Sequence, residues 1–170
     1  MQDYFSLFNL PEHFALERPA LEAAYRNVQA QVHPDRFAHR SEAERRVAMQ
    51  WATHANEAYR ALKNPIERAR YLLKRRGVEI DAERNTAMSP AFLMQQMAWR
   101  EAVEEAEGKA EPLRRLEQDL QRDEGVMLED MAQALDESGD LKAAAELVRR
   151  LMFMEKLRSE IDDALAQIDG

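Results

Sequence analysis

Helix punctuation constrains this chain more than any other feature of its sequence. Apolar residues recur three and four apart, and the runs are bracketed by residues that start or stop helices. Pro19 suits the first turn of a helix over residues 18–33, where its missing N–H is no loss. Leu21, Tyr25, Val28 and Val32 give that helix one apolar stripe, and Pro34 disfavours helical geometry at His33 and ends it. Ser41 and Glu44 form a capping box for the next helix, with a stripe of Val47, Trp51, Ala55, Ala58 and Leu62. A short basic helix in "KNPIERARYLLKRRG" closes at Gly77, and "DYFSLFNL" supplies an apolar turn ahead of the pair. The first unit therefore reads as an antiparallel helical hairpin with accessory helices.

"GVEIDAERNTAMS", residues 77–89, carries no sustained stripe and reads as a linker. Ser89 and Pro90 then open a helix that Gly108 ends. Pro112 opens the next, Gly139 ends it, and Asp140 caps the last. Three helices of roughly 18, 26 and 28 residues with short connections favour an antiparallel three-helix bundle. The expected class is all-α: a unit over 1–76, a linker over 77–89 and a bundle over 90–170. The capped restart at Ser89 implies that the bundle folds by itself.

The charge is divided along the same line. The whole chain carries -8, but residues 1–76 hold 13 Lys and Arg against 9 Asp and Glu, while residues 77–170 hold 11 against 23. Two units with different partners follow from that split. Nucleic acid is excluded for the acidic half, because phosphate binding needs concentrated positive charge. No apolar run approaches the ~20 residues that span a bilayer. The start of the chain shows no basic, cleavable leader, and with no cysteine there is no disulfide framework, so a cytoplasmic location is expected. His13, His33, His39 and His54 are scattered without ligand spacing to a carboxylate, and no nucleophile motif or phosphate-binding glycine loop occurs. No enzyme, cofactor or metal is expected.

His33, Pro34 and Asp35 lie at the junction of two helices. Arg26 stands seven residues before His33, two helical turns back, so both project from one solvent side. A basic helix face that ends in a polar turn suits an acidic partner. "LEAAYRNVQAQVHPDRF", followed by "NEAYRALKNPIERARY", resembles the J-domain of DnaJ-type co-chaperones. "DYFSLFNLP", the second helical unit and "FLMQQM" resemble one branch, the HscB family of bacterial iron–sulfur cluster assembly. The resemblance implies that His33, Pro34, Asp35, Arg26 and Arg36 contact an HscA-type, DnaK-family chaperone and stimulate its ATP hydrolysis. Asn27 stands where many J-domains have a second basic residue, and Arg36 replaces a frequent lysine. Arg68, Arg70, Lys74, Arg75 and Arg76 either add to that field or form a solvated helix face.

The bundle carries a second candidate surface. At about 100° per residue with Phe92 at zero, Trp99, Val103 and Ala106 fall within about 40° of it, a core stripe. Leu93, Met97 and Met94 fall at about 100°, 140° and 200°, among Glu101, Glu104 and Glu105. In the last helix Leu147, Leu151, Met154, Ile161, Leu165 and Ile168 form a seam, with Phe153 about 120° off it. The off-stripe residues either pack between helices or against the first unit, or form a polar-rimmed interaction patch. The HscB resemblance implies the second: Leu93, Met94, Met97, Glu101, Glu105 and Phe153 bind the scaffold protein IscU. Ala98 stands where the family can carry an acid. A general J-protein with another client, and a structural protein dimerising through the 147–168 seam, are the competing readings.

Overall fold

The computed structural model describes residues 2–80 and 88–169. The described residues form seven α-helices. They are α1 (Tyr4–Leu7), α2 (Arg18–Gln31), α3 (Glu42–Lys63), α4 (Pro65–Arg75), α5 (Pro90–Glu105), α6 (Ala110–Ala132) and α7 (Leu141–Asp169). A 3₁₀ turn, Pro34–Phe37, joins α2 to α3, and a π-helical turn, Gln133–Ser138, prolongs α6.

The caps follow the sequence. The Ser41 hydroxyl accepts from the Glu44 N–H at 3.2 Å, Ser89 caps Phe92 at 3.3 Å, and an Asp140 carboxylate oxygen accepts from Ala143 at 3.0 Å. Each satisfies one of the donors that a helix N-terminus leaves without an internal partner. Gly139 takes φ 69°, the left-handed region that closes a helix without a Cβ penalty. Gly125 does not break α6.

α2 and α3 form the expected hairpin. Tyr25 packs on Tyr59 with ring centroids 4.1 Å apart, and its hydroxyl bonds Asn56 at 2.5 Å. Leu21, Ala55, Ala58 and Leu62 are buried beneath. The expected stripe on α3 fails at its first member, because Val47 is 50 % exposed while Ala48 is buried and Trp51 only half-buried. The cause is length: α3 has 22 residues and α2 has 14, so the start of α3 runs past the helix that would cover it.

α5, α6 and α7 pack around Phe92, Trp99, Ala106, Leu113, Leu120, Met154, Leu157 and Ile161, the expected three-helix core. The seam on α7 is shifted. Val148 and Leu157, which lie outside the expected set, are fully buried, whereas Leu147 and Leu165 are half-buried and Ile168 is 38 % exposed. Of the six expected seam residues, Leu151, Met154 and Ile161 are covered within the molecule.

A second core joins the two units. Phe5, Phe8, Phe14, Leu62, Leu72, Leu73 and Ile80 share one cluster with Met131, Leu135, Ala144, Val148 and Leu151. The stretch read as a linker contributes Ile80, and its residues 81–87 lie outside the described residues. The expectation that the bundle folds by itself therefore meets a shared core, and residues 89–170 alone would leave Leu135, Val148 and Leu151 without that cover. Burial on this scale stabilises by roughly 1.5–3 kcal/mol per large side chain.

Polar bonds lock the same junction. The Asp136 carboxylate, in the π-helical turn, accepts from the backbone N–H groups of Phe14 at 2.6 Å and Ala15 at 2.8 Å. Arg76 donates to the Leu135 carbonyl at 2.7 Å. Asp136→Ala is expected to lower unfolding stability by about 2 kcal/mol, because the half-buried Phe14 N–H loses its acceptor. Asp136→Asn keeps one acceptor oxygen and is expected to fall between the two in urea unfolding. Equal stability of all three chains would contradict the lock.

Candidate functional site

Two exposed surfaces hold the residues singled out in the sequence. The first is the turn after α2. Pro34 fixes φ at the start of the 3₁₀ turn, the Arg36 N–H donates to the His33 carbonyl at 3.0 Å, and the Asp35 N–H donates to His33 Nδ1 at 3.2 Å. With Nδ1 accepting, the neutral ring carries its proton on Nε2. The Asp35 carboxylate lies 3.7 Å from Nδ1 with its side chain 93 % exposed. His33, Pro34, Asp35 and Arg36 are thus gathered in one exposed turn, and Arg26 is exposed two turns back on α2. Neither Arg26 nor Arg36 forms a side-chain hydrogen bond or ion pair among the described residues.

The arginines of α4 and of its C-cap, Arg76, contrast with these. Arg68 is buried, donates to the Phe14 carbonyl at 2.7 Å and the Leu62 carbonyl at 2.6 Å, and lies over the Phe14 ring. Burial lowers its pKa from the ordinary value, against the opposing charge of Asp136. Arg75 pairs with Glu12 at 2.5 Å, Arg70 with Glu67, and Arg76 holds Leu135. Of the five basic residues, Lys74 alone is exposed without such a bond among the described residues. Arg68, Arg75 and Arg76 thus brace α4 against the rest of the fold.

The second surface is on α5. Phe92, Trp99 and Ala106 are buried and Val103 is half-buried, as the helical wheel requires. Leu93 is 45 % exposed, Met94 72 % and Met97 72 %, so these three do not pack between helices or on the first unit. Glu101, Glu104 and Glu105 are exposed beside them, as is Ala98. Phe153 divides its roles. It is half-buried, stacked on Trp99 at 6.1 Å and set edge-on to Phe92 at 6.0 Å, so it props the core as well as edging the patch.

Arg100 was not singled out in the sequence. It lies 5.4 Å over the Phe153 ring and pairs with Glu160 at 2.5 Å. The same wheel carries its signal, since it falls at about 80°, next to Leu93. The patch therefore has a cation on one side and carboxylates on the other.

Among the described residues no cluster of three or more His, Asp or Glu is placed to hold a metal, and no helix is long and apolar enough to cross a membrane.

A family model described as the HSCB C-terminal oligomerisation domain matches residues 88–162. The Co-chaperone protein HscB homolog of Azoarcus sp. (strain BH72) is 53 % identical over 171 residues, covering 99 % of this chain and 97 % of that protein. The solved structure of chaperone HscB from Vibrio cholerae aligns with a TM-score of 0.85 at 35 % identity, covering 98 % of this chain and 99 % of that one. The crystal structure of human co-chaperone protein HscB aligns with a TM-score of 0.90 at 28 % identity, over 100 % of this chain and 84 % of that one. The helical hairpin with its exposed turn is accordingly a J-domain, and the helices after it are the C-terminal bundle of the same relatives. The chain belongs to the HscB family of co-chaperones, proteins that act on other proteins and are not themselves enzymes.

Proposed function

We propose that this protein is a two-ended adaptor of bacterial iron–sulfur cluster assembly, acting in the cytoplasm. The turn of His33, Pro34, Asp35 and Arg36, with Arg26, engages an HscA-type chaperone and stimulates its ATP hydrolysis. The patch of Leu93, Met94, Met97, Glu101, Glu105 and Phe153 holds the scaffold protein IscU and delivers it to that chaperone. The observation that carries this reading is the coexistence, in one molecule, of an exposed turn whose arginines make no ion pair among the described residues and an apolar patch set on a separately filled core. Exposed methionines suit such a patch, because their flexible side chains adapt to a partner surface.

Each contact can be modest in affinity, since the tether raises the effective concentration at the second. The test is the ATPase rate of purified HscA-type chaperone with this protein, with IscU, and with both. Stimulation by the pair that exceeds the sum of the two is expected; additive rates would contradict delivery. A general J-protein would bind denatured polypeptide as well as folded scaffold, and a titration with each separates the two readings. The name of the matching family model points to self-association, for which sedimentation at micromolar concentration is the direct check.

A further inference from the structure

Sulfur in this chain is confined to thioethers: there are nine methionines and no cysteine. The fold sorts them by exposure. Met131 and Met154 are fully buried, while Met88, Met127 and Met152 are half-buried. The Met88 sulfur also accepts from the Gln96 amide at 3.2 Å. Among the described residues three methionines stand open, Met94 and Met97 each at 72 % exposure and Met49 at 71 %. Oxidants reach a side chain according to its exposure, and no thiol in this chain competes for them.

Two of these open thioethers lie one helical turn apart on α5, within the client patch. Met49 lies on α3, outside that patch. A thioether suits an apolar interface because it is soft and adaptable; its sulfoxide is polar and presents an oxygen acceptor. The rim offers that oxygen little. Glu101, Glu104 and Glu105 only accept when ionised, and Arg100 is already engaged by Glu160 at 2.5 Å. Burying an acceptor against an apolar partner surface without a donor costs binding free energy. Neither Met94 nor Met97 belongs to a core, so the same change leaves the fold intact.

We propose that Met94 and Met97 form an oxidative modification site, at which a small peroxide converts the scaffold patch to a non-binding form. The inference rests on the reading of that patch as the scaffold site. In each step the thioether sulfur attacks one peroxide oxygen, an S–O bond forms and the O–O bond breaks. Sulfur loses two electrons, and the proton of the transferred oxygen passes to the departing hydroxide, which leaves as water. The turn of His33, Pro34, Asp35 and Arg36 contains no sulfur, so the chaperone end is spared and the two ends of the adaptor are uncoupled.

The test treats the full-length protein alone with hydrogen peroxide, removes the peroxide with catalase, and then titrates untreated IscU. Mass spectrometry locates each sulfoxide, and melting curves check the fold. Oxidation at Met94 and Met97 is expected to raise the dissociation constant by about tenfold or more, with an unchanged melting temperature. Stimulation of the chaperone by this protein without scaffold is expected to stay the same. Methionine sulfoxide reductases are expected to restore binding. A Met94→Leu, Met97→Leu double variant, compared with itself before and after peroxide, is expected to keep its own affinity. Met49→Leu is expected to lose binding on oxidation as wild type does. Sulfoxide at both positions with unchanged affinity overturns the inference and leaves the patch standing, as does oxidation of Met49 that spares Met94 and Met97. An equal loss in the double-leucine variant, a loss the reductases do not reverse, or a lowered melt places the damage elsewhere and overturns it too. Failure of the untreated protein to bind IscU removes the patch reading and the inference with it.

Discussion

His33→Gln is expected to leave the protein folded and able to bind the scaffold, while stimulating the chaperone ATPase no more than buffer does. The geometry explains the selectivity. His33 is exposed and lies outside both cores, and among the described residues its side chain meets only Asp35, accepting from its N–H at 3.2 Å and lying 3.7 Å from its carboxylate. A bond of that kind contributes about 1 kcal/mol, and a glutamine oxygen can replace the acceptor. The substitution therefore removes the imidazole and little else. Circular dichroism and a scaffold titration are expected to match wild type, and equal ATPase stimulation would refute the assignment. Arg26→Ala is expected to weaken stimulation less severely. The wild-type contact is also expected to fade as salt rises, since exposed charges are screened over about 10 Å at 0.1 M.

Replacing Leu93, Met94 and Met97 together by alanine is expected to cripple scaffold binding with a melting temperature close to wild type. The exposures of 45, 72 and 72 % mean that little buried surface is lost on truncation. Changes at such positions commonly stay within about 0.5 kcal/mol of wild-type stability each. In an interface the same side chains would be central apolar anchors, and a few of these usually dominate affinity. Phe92→Ala, one residue away, is the contrasting control. Phe92 is 3 % exposed, and its loss is expected to destabilise by roughly 3–5 kcal/mol. Phe153→Ala is expected to show both effects, weaker binding and a lower melt, because its ring contacts Trp99 and Phe92. Unchanged affinity in a well-folded triple variant would remove the client site.

Local signals carried most of the architecture. Ser41, Ser89 and Asp140 cap the helices they precede, because a cap needs only a side-chain oxygen and the N–H groups two or three residues on. The exposed turn was equally legible, since proline after histidine acts on its neighbours alone. The α5 wheel separated Phe92 and Trp99 from Leu93, Met94 and Met97 correctly, because α5 is a regular helix whose buried side follows one stripe.

Contacts between distant segments were not legible in this way. Periodicity names an apolar face but not its cover, so Val47 read as core although α2 ends before reaching it. Leu157 belongs to the bundle core itself, and Val148 was missed on the α7 seam for a related reason. α7 packs on α4 as well as within the bundle, which widens its buried face beyond a single stripe. Arg68 read as one charge in a basic run, and only the fold shows it donating to the carbonyls of Phe14 and Leu62.

The sequence by itself determined the helices, their caps, the exposed turn and the off-core patch, because each depends on residues within a few positions of one another. Tertiary structure alone decided that the two units share a core, that Asp136 locks Phe14 and Ala15 from about 120 residues away, and which arginines remain uncommitted. Those outcomes depend on which surfaces meet, and helix lengths and long-range packing set that where no local pattern records it.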